Sequence, residues 1–334
     1  MPPILSVSNL SVSYKTRRGL VKAVDDVSLE FEKGKIYSLV GESGSGKSTL
    51  GLALSRLLIE NQVVYSGSID FDGVNLLSLK EQEMVRYRGT GISTIFQEPM
   101  TSLDPVYRIG EQIAESLSVR EKRLVVHDTR GHSFGSSEAR NNAANRLVGR
   151  TANSRSEKRK VYSEFQNETI DLLKRVGITS PEKVAEMYPH ELSGGMKQRA
   201  MIAMVLAEKP AFIVADEPTT ALDVTTQVQV LALIKEIIGE IDTGVLLITH
   251  DLGVVAGVAD SVAVMYGGKI VEESKVNELL SAPLHPYTEG LIGSFPKGDK
   301  HSNALISIPG VVPAIGHFPS GCRFRPRCTK AFNM

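Results

Sequence analysis

Residues 41–48 read GESGSGKS, from Gly41 to Ser48, and fit the pattern G-x-x-x-x-G-K-[ST]. The apolar segment 35–40 before them predicts a buried strand, and apolar residues between Leu50 and Leu58 fall at helical spacing. Glycines let the backbone curl so that several N–H groups point at one anion, and the start of a helix adds its positive dipole end. The stretch therefore predicts a strand, a phosphate-binding loop and a helix. A chance glycine-rich turn is the alternative.

The side chains of this loop predict how a nucleoside triphosphate and Mg²⁺ would be held. Lys47 supplies a mobile cation for the β- and γ-phosphates, and the Ser48 hydroxyl is placed to ligate Mg²⁺. The other nucleotide contacts that we expect come from glycines and hydroxyl residues of the same stretch: Gly41, Ser43, Gly44, Gly46 and Thr49.

A second apolar segment, 212–217, ends in two acids. An acid at the carboxyl end of a parallel strand faces the nucleotide crevice of an α/β fold. We therefore expect Asp216 to hold Mg²⁺, directly or through water, and Glu217 to act as general base toward the attacking water. The alternative is a strand that simply ends in solvated acids.

The rest of the chain alternates strands with helices. An alternating segment at 27–31 predicts a half-buried strand, and apolar segments at 245–249 and 261–265 predict buried strands. Helical patterns at about 224–240 and 252–258 separate them. This order predicts an α/β fold with a largely parallel sheet.

The composition excludes several classes of protein. The chain has 334 residues, and its 38 Lys and Arg balance 38 Asp and Glu, which argues against a broad nucleic-acid-binding surface, so we expect no nucleic-acid partner. The longest apolar runs, such as 200–207, fall far short of the roughly twenty residues that span a bilayer. The N-terminus has no signal-peptide pattern. Two cysteines exclude a disulfide scaffold and favour a reducing cytoplasm.

Two regions depart from the alternation of strands and helices. Residues 119–160 contain eleven Lys and Arg but four Asp and Glu, with many Asn, Ser and Gly. The plain interpretation is a solvated, mobile insertion, and the functional one is a patch that touches anionic lipid headgroups. From about residue 270 the chain is rich in Pro and weakly periodic, which predicts a loop-rich tail domain.

Further motifs resemble those of the ATP-binding-cassette (ABC) ATPases, in family order. The segment 192–196, LSGGM, resembles the signature motif, and Gln97 in IFQEPMTSLDP resembles the Q-loop glutamine. The segment 221–223 resembles the D-loop, His250 the switch histidine, and Tyr14 the aromatic residue that stacks on adenine.

The resemblance implies a P-loop NTPase fold of the ABC type, with a mixed sheet and an antiparallel β subdomain. It implies a nucleotide-binding domain at 1–270, whose helical subdomain at about 98–190 carries the 119–160 insertion. A small C-terminal tail domain follows at 271–334.

The resemblance also implies that two ATP molecules are sandwiched in a head-to-tail dimer of ATPase subunits. Ser193, Gly194 and Gly195 of one subunit would close over the ATP held by Lys47 of the other, because the start of the helix after Ser193 is a second anion site. A plain helix cap is the alternative for this motif.

Four more residues receive roles from the resemblance. Gln97 would join the Mg²⁺ or water shell, His250 would contact the γ-phosphate, and Asp223 would lie at the nucleotide. Tyr14 would stack on adenine, a contact worth about 1–3 kcal/mol. A structural histidine and a core tyrosine are the alternatives for His250 and Tyr14.

Narrower motifs are similar to one branch of the family, the ATPase subunits of dipeptide and oligopeptide importers. They are LSGGM in place of LSGGQ, DEPTTALDVT, ITHDLGVVA, and the tail segments HPYTEGL, IPGVVP and GCRFRPRC. The resemblance implies two transmembrane permease subunits, a second ATPase subunit (identical or paralogous), an extracytoplasmic substrate-binding protein, and a place on the cytoplasmic face of the membrane. Oligosaccharide or nickel import is an alternative, and a soluble ATPase acting on ribosomes or DNA is a remote one.

Cys322 and Cys328 lie among three arginines of the tail. In the branch that the chain resembles, tail cysteines are associated with a [4Fe-4S] cluster held by four thiolates. The chain has these two, and family spacing places a third beyond Met334. An incomplete cluster site, a structural or redox pair, and inert thiols all stay open.

Overall fold

The computed structural model describes residues 2–97, 102–128, 154–219, 223–294, 308–314 and 317–332. The chain divides into two compact units. The core unit comprises residues 1–79, 212–217 and 234–334, and the helical unit comprises residues 80–211 and 218–233.

Within the described residues, the strands in chain order are β1 (Leu5–Thr16), β2 (Gly19–Phe31), β3 (Ile36–Val40), β4 (Val63–Phe71), β5 (Val74–Asn75), β6 (Ile92–Ile95), β7 (Phe212–Asp216), β8 (Gly244–Thr249), β9 (Ser261–Tyr266) and β10 (Lys269–Lys275). The α-helices in the same residues are α1 (Lys47–Leu54), α2 (Glu81–Met84), α3 (Ile109–Asp128), α4 (Arg155–Arg175), α5 (Pro181–Ala185), α6 (Gly194–Ala207), α7 (Val224–Ile241), α8 (Leu252–Val258), α9 (Val276–Ser281) and α10 (Pro286–Gly293).

The N-terminal strands form an antiparallel sheet in the order β2-β1-β4-β5. Leu5 in β1 lies opposite Phe31 in β2 and opposite Phe71 in β4. All three side chains are buried, since alternate residues of these strands face the core. The antiparallel β element that the family resemblance implies is confirmed.

The central strands of the core unit are parallel, as the sequence predicts. Strand β3 lies between β8 and β9, and β7 pairs with the far side of β8. Val40 at the end of β3 lies opposite Thr249 and Val264, and Asp216 at the end of β7 lies opposite Ile248. The carboxyl ends of three strands therefore meet at one edge, where α/β sheets bind ligands.

Helix α1 packs closely on this sheet. A Cβ added at Gly51 would lie 2.7 Å from the Ile248 side chain and 3.1 Å from the Val214 side chain. The apolar spacing predicts a helix that reaches Leu58, but α1 ends at Leu54. The correction has a backbone cause, because Arg56 adopts a left-handed φ of 51° that a helix does not continue through.

The helical unit contains α3 and α4, which extend over both ends of the predicted mobile insertion. Residues 119–128 and 154–160 of that insertion are helical apart from Ser154, whose side chain caps α4 and accepts a hydrogen bond from the Glu157 N–H. Residues 129–153 lie outside the described residues. The limits of the helical subdomain, 98 and 190, stay a prediction.

The tail is more regular at its start than the sequence predicts. Strand β10 and helices α9 and α10 occupy most of residues 269–293. His285 caps α10 through Nδ1, which accepts from the Tyr287 N–H at 3.1 Å, and Pro286 takes the first helical position. The described residues from 308 onward form no strand or α-helix, as expected of a loop-rich segment.

No helix in the described ranges is both long enough and apolar enough to span a membrane.

We predict that Leu39→Ala destabilises the core unit by about 2–5 kcal/mol, because the side chain is fully buried and its loss leaves a cavity. The matched control is Leu20→Ala, where the side chain is 63% exposed and the change should stay within about 0.5 kcal/mol. Urea unfolding followed by circular dichroism measures both. Equal midpoints for the two variants would contradict the packing described.

Candidate active site

The phosphate-binding loop is a tight backbone turn in which glycine is sterically required. Gly44 and Gly46 have φ values of 78° and 105°, in the left-handed region. A Cβ at Gly41 would lie 2.2 Å from the Met265 carbonyl oxygen, and one at Gly46 would lie 2.4 Å from the Ala23 carbonyl oxygen. The loop is therefore pressed against neighbouring backbone, with Ser43 and Gly44 exposed at its tip.

Lys47 lies under the loop as a buried cation. Its Nζ donates to the carbonyl oxygens of Gly41 at 2.8 Å and Glu42 at 3.0 Å, and the residue is 6% exposed. Burial lowers the pKa of this ammonium, and the carboxylates of Glu217, Asp216 and Glu42 oppose that effect. The ammonium is thus held where it can exchange loop carbonyls for phosphate oxygens.

Ser48 and Asp216, which the sequence predicts to be oxygen ligands of Mg²⁺, lie next to each other. The Ser48 hydroxyl donates to Asp216 Oδ1 at 3.2 Å, and Asp216 is 8% exposed. Burial raises the pKa of Asp216, while the Ser48 hydroxyl and Lys47 act to lower it. A hydroxyl and a carboxylate side by side suit a hard divalent cation, so the residues present fit Mg²⁺.

Glu217 and His250 follow β7 and β8 and meet at the same edge of the sheet. His250 Nδ1 lies 3.1 Å from Glu217 Oε1. Glu217 adopts a left-handed φ of 45°, and its N–H donates to the Ile248 carbonyl at 2.9 Å. A non-glycine residue in this region is strained, and such strain is characteristic of functional sites. The carboxylate is half-buried and the imidazole is exposed.

Tyr14 lies on β1, and its hydroxyl is 3.1 Å from the Thr49 hydroxyl at the start of α1. The ring is half-buried rather than part of the closed core. The core unit therefore gathers Tyr14 and Thr49 with the loop and the acids that follow it.

The remaining predicted residues belong to the helical unit. Ser193 caps α6, its hydroxyl accepting from the Met196 N–H at 3.4 Å, and both Ser193 and Gly194 are exposed. Asp223 accepts hydrogen bonds from the Thr226 N–H and hydroxyl at 2.9 and 2.7 Å, which lower its pKa. Gln97 lies after β6 and is exposed. Gly195 lies in the first turn of α6 and is half-buried. Residues 98–101 and 220–222 are outside the described residues.

The cysteine pair does not complete a metal site in the described part of the chain. Cys322 is exposed, Cys328 is half-buried, and both are free thiols. No group of three or more His, Cys, Asp or Glu side chains among the described residues could hold a metal ion. A cluster held by four thiolates is therefore not matched by these residues, and it stays a prediction.

Sequence reasoning missed three residues at the loop. Glu42 occupies a variable position of the loop pattern, yet its carboxylate binds Arg327 and its N–H donates to the Tyr287 hydroxyl. Tyr287 lies in the HPYTEGL motif and Arg327 in GCRFRPRC. Both motifs were visible, but nothing in the sequence places them at residue 42.

Comparison with known families identifies two regions. Residues 24–220 match the family model described as "ABC transporter". Residues 271–334 match the model described as "Oligopeptide/dipeptide transporter, C-terminal region".

The chain is also similar to proteins of known name. It is 42% identical to the oligopeptide transport ATP-binding protein AppD of Bacillus subtilis, over 100% of this chain and 90% of that protein. It is 43% identical to the dipeptide transport ATP-binding protein DppD of Lactococcus lactis subsp. cremoris, over 97% and 82% of the two chains. Among solved structures, the ATP-binding cassette MJ0796, a dimer bound to ADP and Pi, aligns with a TM-score of 0.59 and 25% identity over 81% of this chain and 98% of that one.

We predict that Asp216→Asn raises the unfolding midpoint of the nucleotide-free protein and weakens Mg²⁺-dependent ATP binding. The folded protein raises the pKa of Asp216, so its ionised form opposes folding above that pKa. The gain should be full above the raised pKa and should shrink as the pH falls through it, where folded wild-type Asp216 takes up its proton. It should be absent below the ordinary carboxyl pKa. Thermal unfolding at several pH values measures it, with exposed Asp171→Asn as the control. A lower midpoint for Asp216→Asn at neutral pH would contradict the prediction.

Proposed function

Because the chain belongs to the ABC transporter family, we propose that it is the ATP-hydrolysing subunit of a membrane importer for dipeptides and oligopeptides. The observation that carries this proposal is the presence, in one chain, of a cassette at 24–220 and an oligopeptide/dipeptide transporter C-terminal region at 271–334. Relatives that match almost the whole chain are named as oligopeptide and dipeptide transport ATP-binding proteins.

Hydrolysis in this proposal depends on groups at the edge of the parallel sheet. Lys47 and the loop N–H groups bind the β- and γ-phosphates, and Glu217 accepts the proton of the attacking water. His250, 3.1 Å from Glu217, orients that carboxylate and contacts the γ-phosphate. Ser48 and Asp216, with Gln97, would hold Mg²⁺, which when bound neutralises charge on the phosphate oxygens. Tyr14 stacks on the adenine.

ATP binding in this proposal closes a head-to-tail dimer of ATPase subunits. Ser193, Gly194 and Gly195 of one subunit cover the ATP held by Lys47 of the other, and Asp223 lies beside it. The start of the 14-residue helix α6 supports this, since Ser193 and Gly194 are exposed there and the N-terminus of a helix suits an anion. Release of phosphate removes the bridge between the subunits, so the cycle alternates between two states.

The proposed partners follow from the importer role. Two transmembrane permease subunits would bind the ATPase dimer at the cytoplasmic face of the membrane, at the surface beside residues 97–105. Opening and closing of the dimer would move these subunits. The second ATPase subunit is identical or paralogous, and an extracytoplasmic protein delivers the cargo. We also propose the domain division at 270 and 271, supported by where the C-terminal family match begins.

Cys322 and Cys328 would supply two of the four thiolates that a [4Fe-4S] cluster takes. The proposed mechanism uses neither cysteine.

We predict that Glu217→Gln retains ATP binding but lowers the hydrolysis rate by about 10²–10⁴-fold, because the amide cannot accept the proton of the attacking water. Phosphate release under saturating ATP and titration with a fluorescent ATP analogue measure the two steps. Exposed Glu236→Gln in α7 is the control and should hydrolyse ATP normally. Unchanged turnover in Glu217→Gln would remove this residue from the proposed role.

The cargo is tested by ATP hydrolysis in the assembled complex with permease, second ATPase subunit and binding protein. Short peptides, oligosaccharides and nickel are added in turn. We expect stimulation by peptides alone. Stimulation by a sugar or by nickel alone would keep the motor and overturn the peptide proposal.

A further inference from the structure

One residue of the phosphate-binding loop is held by the tail through its side chain. The guanidinium of Arg327 binds the Glu42 carboxylate in a fork, with Nη1–Oε2 at 2.5 Å and Nη2–Oε1 at 3.0 Å. The Arg327 side chain is 4% exposed. Two parallel, charge-assisted hydrogen bonds fix orientation as well as distance, so this pair restrains Glu42 in a defined position.

The backbone of Glu42 is held as well. Its N–H donates to the buried Tyr287 hydroxyl at 2.8 Å, and its carbonyl accepts from Lys47 Nζ at 3.0 Å. The residue that the tail restrains is therefore a direct partner of the loop lysine. A shift of Glu42 would move a hydrogen-bond acceptor of Lys47.

The Arg327 side chain is also held by residues other than Glu42. Its Nε donates to the Pro309 carbonyl at 2.8 Å, and the guanidinium lies 5.8 Å from the Tyr266 ring centre and 6.0 Å from that of Phe324. The Glu42 carboxylate raises the pKa of Arg327 further above its ordinary value. The charge of Arg327 is therefore constant over all working pH values.

A second tail arginine supports the other arm of the loop. Arg323 donates to the Gly267 carbonyl and to the Asp25 carboxylate. The neighbouring Gly268 accepts from the Asp25 N–H and donates its own N–H to the Ser45 carbonyl, both at 2.8 Å. The tail is thus linked to the loop directly at Glu42 and, through the backbone of Gly268, at Ser45.

Charge gives the Glu42 pair a further consequence. A carboxylate within a phosphate-binding loop repels a triphosphate, and Coulomb repulsion is strong where water is excluded. Arg327 neutralises this carboxylate from the side of the tail. Loss of Arg327 would leave an unpaired negative charge beside Lys47.

We propose that Arg327 is a positioning residue for ATP, which holds Glu42 and neutralises its charge, so that the tail is part of the ATP site. This inference rests on the proposed ATPase function and concerns the same site.

The test compares four forms of the subunit: wild type, Arg327→Met, Arg325→Met and the double variant Glu42→Gln/Arg327→Met. Each form is assembled with the permease, the second ATPase subunit and the binding protein, and its ATP hydrolysis is measured. Arg325 is the matched control, because it lies two residues away and its side chain is exposed. We expect Arg327→Met to raise the KM for ATP at least about tenfold with a much smaller loss of kcat, a pattern of weakened substrate binding. The double variant should have a KM for ATP close to that of wild type, because it removes the carboxylate that Arg327→Met leaves unpaired. Arg325→Met should match wild type.

Two outcomes with these variants would overturn the proposal. One is a KM for Arg327→Met equal to that of Arg325→Met in a folded protein. The other is a double variant as impaired as Arg327→Met, which would indicate a structural role only. If Arg327→Met does not fold, Arg327→Lys replaces it in the test, since lysine keeps the positive charge but cannot form the two parallel hydrogen bonds. We expect the KM of Arg327→Lys to lie between that of wild type and that expected for Arg327→Met. A KM equal to that of wild type would count against the proposal. Absence of hydrolysis in wild type would instead contradict the proposed function.

Discussion

The close approach of backbone to backbone at the phosphate-binding loop is the constraint on which the other features of the site depend. Gly41 lies against the carbonyl of Met265 and Gly46 against that of Ala23, so neither position has room for a side chain. The tight turn that results follows the carboxyl end of β3. The parallel register then brings Asp216 and His250 to the same edge.

The site also concentrates charge of both signs in a small, poorly solvated volume. Burial lowers the pKa of Lys47 and raises that of Asp216, because it disfavours the charged form of each side chain. The opposite charge of the other side chain favours the charged form. Arg327 and Glu42 add a second pair at the rim. Such an arrangement is less stable than an apolar core would be, and stability lost at a site is a usual consequence of function.

The parts of the fold that a local pattern encodes were predictable from the sequence. The strand, loop and helix around Gly41 to Ser48, and the acids at the end of β7, each follow from a short run of residues. The end of α1 was not predictable, because the apolar spacing continues past Leu54 and the left-handed backbone of Arg56 leaves no mark in that spacing. The pairing of Glu42 with Arg327 was hidden for another reason: no pattern of spacing relates residues so far apart.

That separation has a consequence for how the protein matures. Glu42 and Arg327 are 285 positions apart, and Tyr287 reaches the same residue from 245 positions away. A ribosome makes the phosphate-binding loop early, yet the loop can gain these two partners only after most of the chain has been translated. A nascent or prematurely terminated chain would therefore carry the whole nucleotide motif without the contacts that hold it, and completion of synthesis is coupled to completion of the ATP site.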